Sequence, residues 1–183
     1  MIFIRSLALK KNKVIFLDRD GIINEDKSYV HKIEDFEFCS GIFETLKRFQ
    51  ELGYMLIIVT NQSGIGRGYY TQKDFDLLNN WMLNELKNEG IDITKVYYCP
   101  HDPNENCNCR KPNPGMLQYA KDKFNIDIKS SWMIGDKISD IEAANNLGIK
   151  NTILLKNHYF DANIKANAKY TVNKILDTIT IIK

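Results

Sequence analysis

The stretch V-I-F-L-D-R-D-G-I-I-N, from Val14 to Asn24, decides how this chain is read. Val14 to Leu17 is an apolar run of the length of a buried strand, and it stops abruptly on charge. Side chains alternate along extended backbone, so Asp18 and Asp20 leave the strand end on the same side. Gly21 then allows a tight turn. Two carboxylates in that position suit a divalent cation together with a nucleophile and an acid. An acidic loop serving only solvation would not directly terminate an apolar strand.

The same alternation continues outward from this strand. Ile42, Leu46 and Phe49 follow at helical spacing and end near Gly53. Met55 to Val59 is a second β-branched run. Thr71 opens a helix, with Asp74 three residues on as a capping box; Phe75, Leu78, Met82 and Leu86 form its apolar face, and Gly90 closes it. A third strand is expected at Val96 to Tyr98, a helix from Pro114 to Phe124, and a fourth strand at Trp132 to Ile134. A helix from Ile138 to Leu147 stops at Gly148. Ile153 to Leu155 and Tyr170 to Val172 complete the strands, and a C-terminal helix begins near Asn173. The fold class is therefore α/β: a Rossmann-like parallel sheet with helices on both faces. In such sheets, sites form where strands end.

The other strand ends carry matching chemistry. After the second come Thr60, Asn61, Gln62 and Ser63, and then Gly64, Gly66 and Gly68, whose spacing lets backbone N–H groups approach an anion. After the third, Cys99, His101, Cys107 and Cys109 form a Cys3His set, the donors of a closed tetrahedral zinc site with a structural role. Arg110 and Lys111 follow at once, a bidentate cation and a point charge suited to phosphate. After the fourth, Asp136 adds a carboxylate. Magnesium prefers a few carboxylates with water and phosphate oxygens, which matches this inventory. Asp140 either supports the site or is a first-turn helix acid.

Composition limits the alternatives. The chain has 183 residues, 44% hydrophobic and 26% charged, with a net charge of +2. One domain spanning 1–183 is expected, with a zinc-stapled loop at about 99–112 and no room for a large cap. The near-neutral balance points to neither nucleic acid nor membrane as a partner, and a monomer is expected. Arg5 interrupts the first apolar stretch and no small-residue cleavage site follows it, so a signal peptide is not expected. Three clustered cysteines indicate a metal site in a reduced, cytoplasmic setting. Cys39 reads as a small buried residue, and Trp81 and Trp132 as packing. His31 lies in a loop near the site, His158 at the surface, and Lys165 to Lys174 on a solvated face.

Taken in order, D-x-D-G at Asp18 to Gly21, Thr60, Lys111 and G-D-x-x-x-D at Gly135 to Asp140 resemble the haloacid dehalogenase (HAD) superfamily of phosphatases. Within it, G-I-G-R-G-Y, K-P-N-P-G-M and G-D-K make the chain similar to the heptose bisphosphate phosphatase family more than to the neighbouring histidinol-phosphate phosphatases. The resemblance runs from about Val14 to Leu155. It implies Asp18 as nucleophile, Asp20 as acid and base, and Thr60, Asn61 and Lys111 on the phosphoryl oxygens. It implies Mg2+ on Asp18, the Asp20 carbonyl and Asp136, and Zn2+ in the cysteine loop. The substrate is then a small phosphosugar: Asp26, Lys27, Ser28, Tyr29, Gln62 and Ser63 would touch the sugar, and Arg110 and Lys137 the far phosphate. Ser28 stands where relatives often carry glycine. A zinc-stapled module without catalysis and a nucleic-acid end phosphatase stay open as contrasting readings. The presence of Asp18, Asp20, Lys111 and Asp136 together argues against the first, and the lack of a strongly basic groove or appended domain against the second.

Overall fold

A computed structural model describes residues 11–156 and 167–183. His158, the N-terminal stretch through Arg5 and part of the Lys165 to Lys174 face lie outside the described residues. The strands are β1 (Val14–Leu17), β2 (Met55–Asn61), β3 (Ile93–Cys99), β4 (Trp132–Gly135), β5 (Asn151–Leu155) and β6 (Tyr170–Val172). They form one sheet in the order β3-β2-β1-β4-β5-β6, and every pairing is parallel. The helices between them are α1 (Ile42–Glu51), α2 (Gln72–Asn88), α3 (Gly115–Phe124) and α4 (Ile138–Leu147), with a short α5 (Thr178–Ile181).

Alternation along each strand divides the core in two. Ile15, Leu17, Leu56, Ile58 and Ile134 pack against Leu46 and Phe49 of α1 and Leu78 and Met82 of α2. Val14, Phe16, Ile57, Val59 and Met133 face the opposite layer, Leu117 and Ala120 of α3 and Ala143 and Ala144 of α4. Strands buried on both faces need no polar alternation, which is why the sequence shows continuous apolar runs. Each such side chain contributes ~1.5–3 kcal/mol on burial.

Chain order turns back on itself at β1, whose neighbours are β2 and β4. Such a switch point leaves a crevice outside the carboxyl ends of the strands. The expected helix boundaries at Thr71 and Gly148 are both present: the Thr71–Asp74 capping box opens α2, and Gly148 caps α4 with φ 94°. The C-terminal helix is shorter than expected, a 3-10 turn at Ile175–Asp177 followed by α5. The run Thr178-Ile179-Thr180-Ile181-Ile182 is entirely β-branched, and such residues lose χ1 freedom in a helix.

Candidate active site

Asp18 sits at the end of β1, buried, with its amide donating to the carbonyl of Ile134 on β4. Its Oδ1 lies 2.9 Å from Lys111 Nζ and also accepts from the Arg19 amide at 2.8 Å. Lys111 is buried as well. Its ammonium donates to the Val59 carbonyl at 2.7 Å and pairs with Asp140 at 2.5 Å. A buried cation survives only when its protons are matched, and here three oxygens surround it. Burial pushes the Asp18 carboxyl up to about 6, against the pull of Lys111. Burial opposes the charge on Lys111, but Asp140 and Asp18 outweigh it and hold the ammonium protonated more firmly than usual.

Asp140 does both things the sequence allowed. Its Oδ2 accepts from the Lys137 amide at 3.0 Å, capping α4, while Oδ1 meets Lys111. Asp18, Asp136 and Asp140 each offer an oxygen within 4.8 Å of the others, a donor set that fits a hard divalent cation. Gly21 has φ +87°, and a side chain there would strike the Asp136 carboxylate, so this position needs glycine twice over.

Asp20 is held differently. Its Oδ1 accepts from Arg19 Nη2 at 2.8 Å and Asn24 Nδ2 at 3.1 Å, and its Oδ2 from Gln62 Nε2 at 2.9 Å. Burial disfavours its charge, but Arg19, Asn24 and Gln62 prevail and hold the carboxyl below the ordinary range. Arg19 is fully buried beside it and also donates to the Val30 carbonyl. The sequence pattern assigns Arg19 and Asn24 no role. The available signal was an arginine between two aspartates at the end of a buried strand, a charge that must find partners inside.

A cavity of about 600 Å³ opens above these groups, lined by Asp20, Asp26, Ser28, Tyr29, Arg110 and Lys137 among others. Lys137 pairs with Asp26 across it at 2.9 Å. Arg110 presents Nη1 buried and without a hydrogen-bond partner. Ser28 adopts φ 60°, the left-handed conformation that favours glycine, and Tyr29 follows at 54°.

Several expected contacts are rearranged. Lys27 does not line this cavity; it is exposed and pairs with Glu37 at 3.1 Å. Asn61 lines the cavity, but its side-chain amide exchanges two 3.1 Å hydrogen bonds with the backbone of Lys111 and so fixes that loop. The Gly64, Gly66 and Gly68 turn is not a free anion cradle. The Gly66 amide donates to the Pro100 carbonyl and the Gly68 amide to that of Ile65. A side chain at Gly66 would run into the backbone of residues 100–102, so this glycine lets the turn dock on the cysteine loop. His31 stacks on Tyr70, Trp81 packs edge-on against Phe36, and Trp132 stacks on Tyr170. Cys39 is buried and lines a second cavity with Glu25 and Asp136.

The loop after β3 gathers Cys99, His101, Cys107 and Cys109. The Sγ and Nδ1 atoms lie 3.2–3.5 Å apart along the contacts Cys99–His101, Cys99–Cys107, Cys99–Cys109, Cys107–Cys109 and His101–Cys109. All four donor atoms lie within 4.8 Å of one another, a compact Cys3His set of the kind that suits zinc. All three thiols are free of disulfides.

The parallel sheet, its switch point and the aspartate pair at the end of β1 define a HAD-type hydrolase core. The HAD-hydrolase-like family model matches residues 108–180. A protein of Photorhabdus laumondii, D-glycero-alpha-D-manno-heptose-1,7-bisphosphate 7-phosphatase, is 45% identical over 179 residues, covering 91% of this chain and 98% of its own length. A protein of the same name from Campylobacter jejuni is 54% identical over 145 residues, covering 79% of this chain and 83% of its own. The chain belongs to this heptose-1,7-bisphosphate 7-phosphatase family. The fold of the D,D-heptose 1,7-bisphosphate phosphatase from B. bronchiseptica, solved with magnesium and phosphate, superposes with a TM-score of 0.84 at 24% identity, covering 92% of this chain and 97% of that one.

Proposed function

We propose that this protein is a Mg2+-dependent phosphatase that removes the C7 phosphate of D-glycero-D-manno-heptose 1,7-bisphosphate through a phospho-aspartyl intermediate. Heptose 1-phosphate is released for nucleotide-activated heptose synthesis. The observation that carries the reading is the cavity over Asp20. It gathers Lys111, Lys137 and a half-buried Arg110 whose Nη1 has no hydrogen-bond partner, positive charge for a substrate with two phosphates. The family relatives favour this substrate over histidinol phosphate.

Asp18 attacks phosphorus in line, forming an acyl-phosphate as the bond to the sugar oxygen breaks. Asp20 is held as a carboxylate in the free protein and must take up a proton as the substrate binds; it gives that proton to the departing alkoxide, and as a carboxylate it then takes one from the water that hydrolyses the acyl-phosphate. Thr60 and Lys111 bind the equatorial oxygens, with Lys111 held in place by Asn61 and Asp140. Asp18, Asp136 and the Asp20 carbonyl would hold Mg2+, which when bound cancels repulsion between nucleophile and phosphate. Arg110, with Lys137 released from Asp26, takes the far phosphate, and Asp26, Ser28, Tyr29 and Ser63 flank the sugar.

Zn2+ on Cys99, His101, Cys107 and Cys109 is structural in this proposal, and it fixes Arg110 and Lys111. No helix among the described residues is long and apolar enough to cross a membrane. The chain acts as a single-domain cytoplasmic monomer, where the thiols remain reduced. The test compares phosphate release from heptose 1,7-bisphosphate and from histidinol phosphate under Mg2+. Faster turnover of histidinol phosphate overturns the substrate assignment.

A further inference from the structure

We infer that Gln62, locked from behind by Tyr70, is a positioning residue that aims both Asp20 and Thr60, and is not a contact for the sugar. The inference rests on the phospho-aspartyl reading only in taking Asp20 as the acid.

Gln62 lines the cavity but is buried, and both its amide hydrogens and its carbonyl oxygen already have partners within the protein. Nε2 donates to Asp20 Oδ2 at 2.9 Å and to Thr60 Oγ1 at 2.8 Å, which uses both of its hydrogens. Oε1 accepts from the Tyr70 hydroxyl at 2.6 Å. That hydroxyl decides which way the amide faces. Reversing the amide would aim Oε1 at the Asp20 carboxylate and leave two acceptors opposed. Burial pushes the Tyr70 hydroxyl up to about 12, so it remains a donor through the neutral range. The Tyr70 ring is itself fixed. It stacks on His31 with centroids 4.9 Å apart and planes 5° from parallel. Its other neighbour is Gly64, where any side chain would fall on the ring.

Two consequences follow at the reacting groups. Asp20 Oδ1 already accepts from Arg19 and Asn24, so Oδ2, facing the neutral amide, is the oxygen suited to carry a proton. Thr60 Oγ1, accepting from Gln62, turns its own hydroxyl proton away from the amide, where it can reach a phosphoryl oxygen. One amide thereby orients the acid and a donor to the transferring group.

The test uses a series of substituted phenyl phosphates whose leaving phenols run from strongly to weakly acidic. None carries a sugar, and kcat/KM reports the step in which the leaving group departs. In Gln62→Met the loss should grow along the series, about tenfold larger for phenyl phosphate than for 4-nitrophenyl phosphate, because only poor leaving groups need the proton. Tyr70→Phe, which removes a single hydroxyl, should show the same trend more weakly. A parallel loss across the series, or a KM increase confined to heptose 1,7-bisphosphate with kcat unchanged, overturns the proposal. A crystal structure of Gln62→Met supplies a readout without turnover: Asp20 and Thr60 side chains left in their present rotamers would also overturn it. If the wild type hydrolyses the phenyl series but not heptose 1,7-bisphosphate, the substrate assignment fails and this inference stands.

Discussion

The crevice at the ends of β1, β2 and β4 and the cysteine loop after β3 meet at consecutive residues, yet they are held by opposite means. The crevice is made of buried charge: Asp18 just past β1, Lys111 in the loop after β3 and Asp140 in α4 pair within a few ångströms, beside a sheet whose position the hydrophobic core sets. The cysteine loop gathers three thiols and an imidazole, which a bound zinc would clasp, with a capped 3-10 turn, Pro103–Glu105, between them. Lys111 follows two residues after Cys109, so the loop's clasp also sets where a crevice cation enters. Damage to the crevice should remove chemistry while sparing the fold, and damage to the clasp should loosen the fold first.

The largest effect expected is from Asp18→Asn. Losing the nucleophile should lower kcat by at least ~10³-fold. The folded Asp18 carboxyl titrates at about 6, above its ordinary value, so its charge costs stability at neutral pH. An asparagine there should leave Tm within about 3 °C of the wild type, Asp140 still pairing Lys111. Phosphate release and thermal melting measure the two halves of the expectation. Full activity, or a collapsed melt, would erase the contrast between the regions.

The clasp comes next. Cys107→Ser, or zinc chelation, should cost about 3 kcal/mol, a fall of roughly 6–12 °C in Tm for a chain this size. Activity should decline with it, because Arg110 and Lys111 lose their anchor. A chelated protein that melts and turns over as before would show that the Cys3His cluster holds nothing together.

Between these extremes stands Arg110→Ala, which belongs to both regions. Arg110 lines the cavity, and its Nη1 has no hydrogen-bond partner. Removing it should raise KM for heptose 1,7-bisphosphate about 10–100-fold with a smaller change in kcat, and leave a phosphate ester without a second phosphate nearly unaffected. An equal loss on both esters would place Arg110 with the reacting phosphate instead.

The two regions were also unequally legible in the sequence. Cys99, His101, Cys107 and Cys109 could be read directly, because metal donors are few in kind and these four lie within eleven residues of one another. Asp18, Asp20 and Asp136 stand out because charge terminating an apolar run has few explanations other than a site, and Lys111 because it follows the cysteine cluster directly. Their supports do not. Gln62 and Asn61 line the cavity, but nothing in a one-dimensional pattern shows that Asn61 also faces the backbone of Lys111, 50 residues on. The pairing of Lys27 with Glu37 across a turn is hidden for the same reason. Side-chain amides donate and accept alike, so their partners are set by tertiary packing and not by spacing.

The smallest effect sharpens the comparison from within the crevice, where Asp20 and Asp18 titrate in opposite senses. Arg19, Asn24 and Gln62 overcome burial and hold the Asp20 carboxyl below its unfolded value of ~3.9. A depressed folded value means that the stabilisation from these partners is present above about pH 4 and is lost as pH falls through the folded value. Asp20→Asn removes that contribution. The Tm advantage of the wild type over the variant should therefore be steady near pH 6–7 and shrink below pH 4. An advantage that is unchanged down to pH 3, measured by melting without added metal, would mean that Arg19 stabilises Asp20 by shape and hydrogen bonding alone, and that charge does not distinguish the two aspartates.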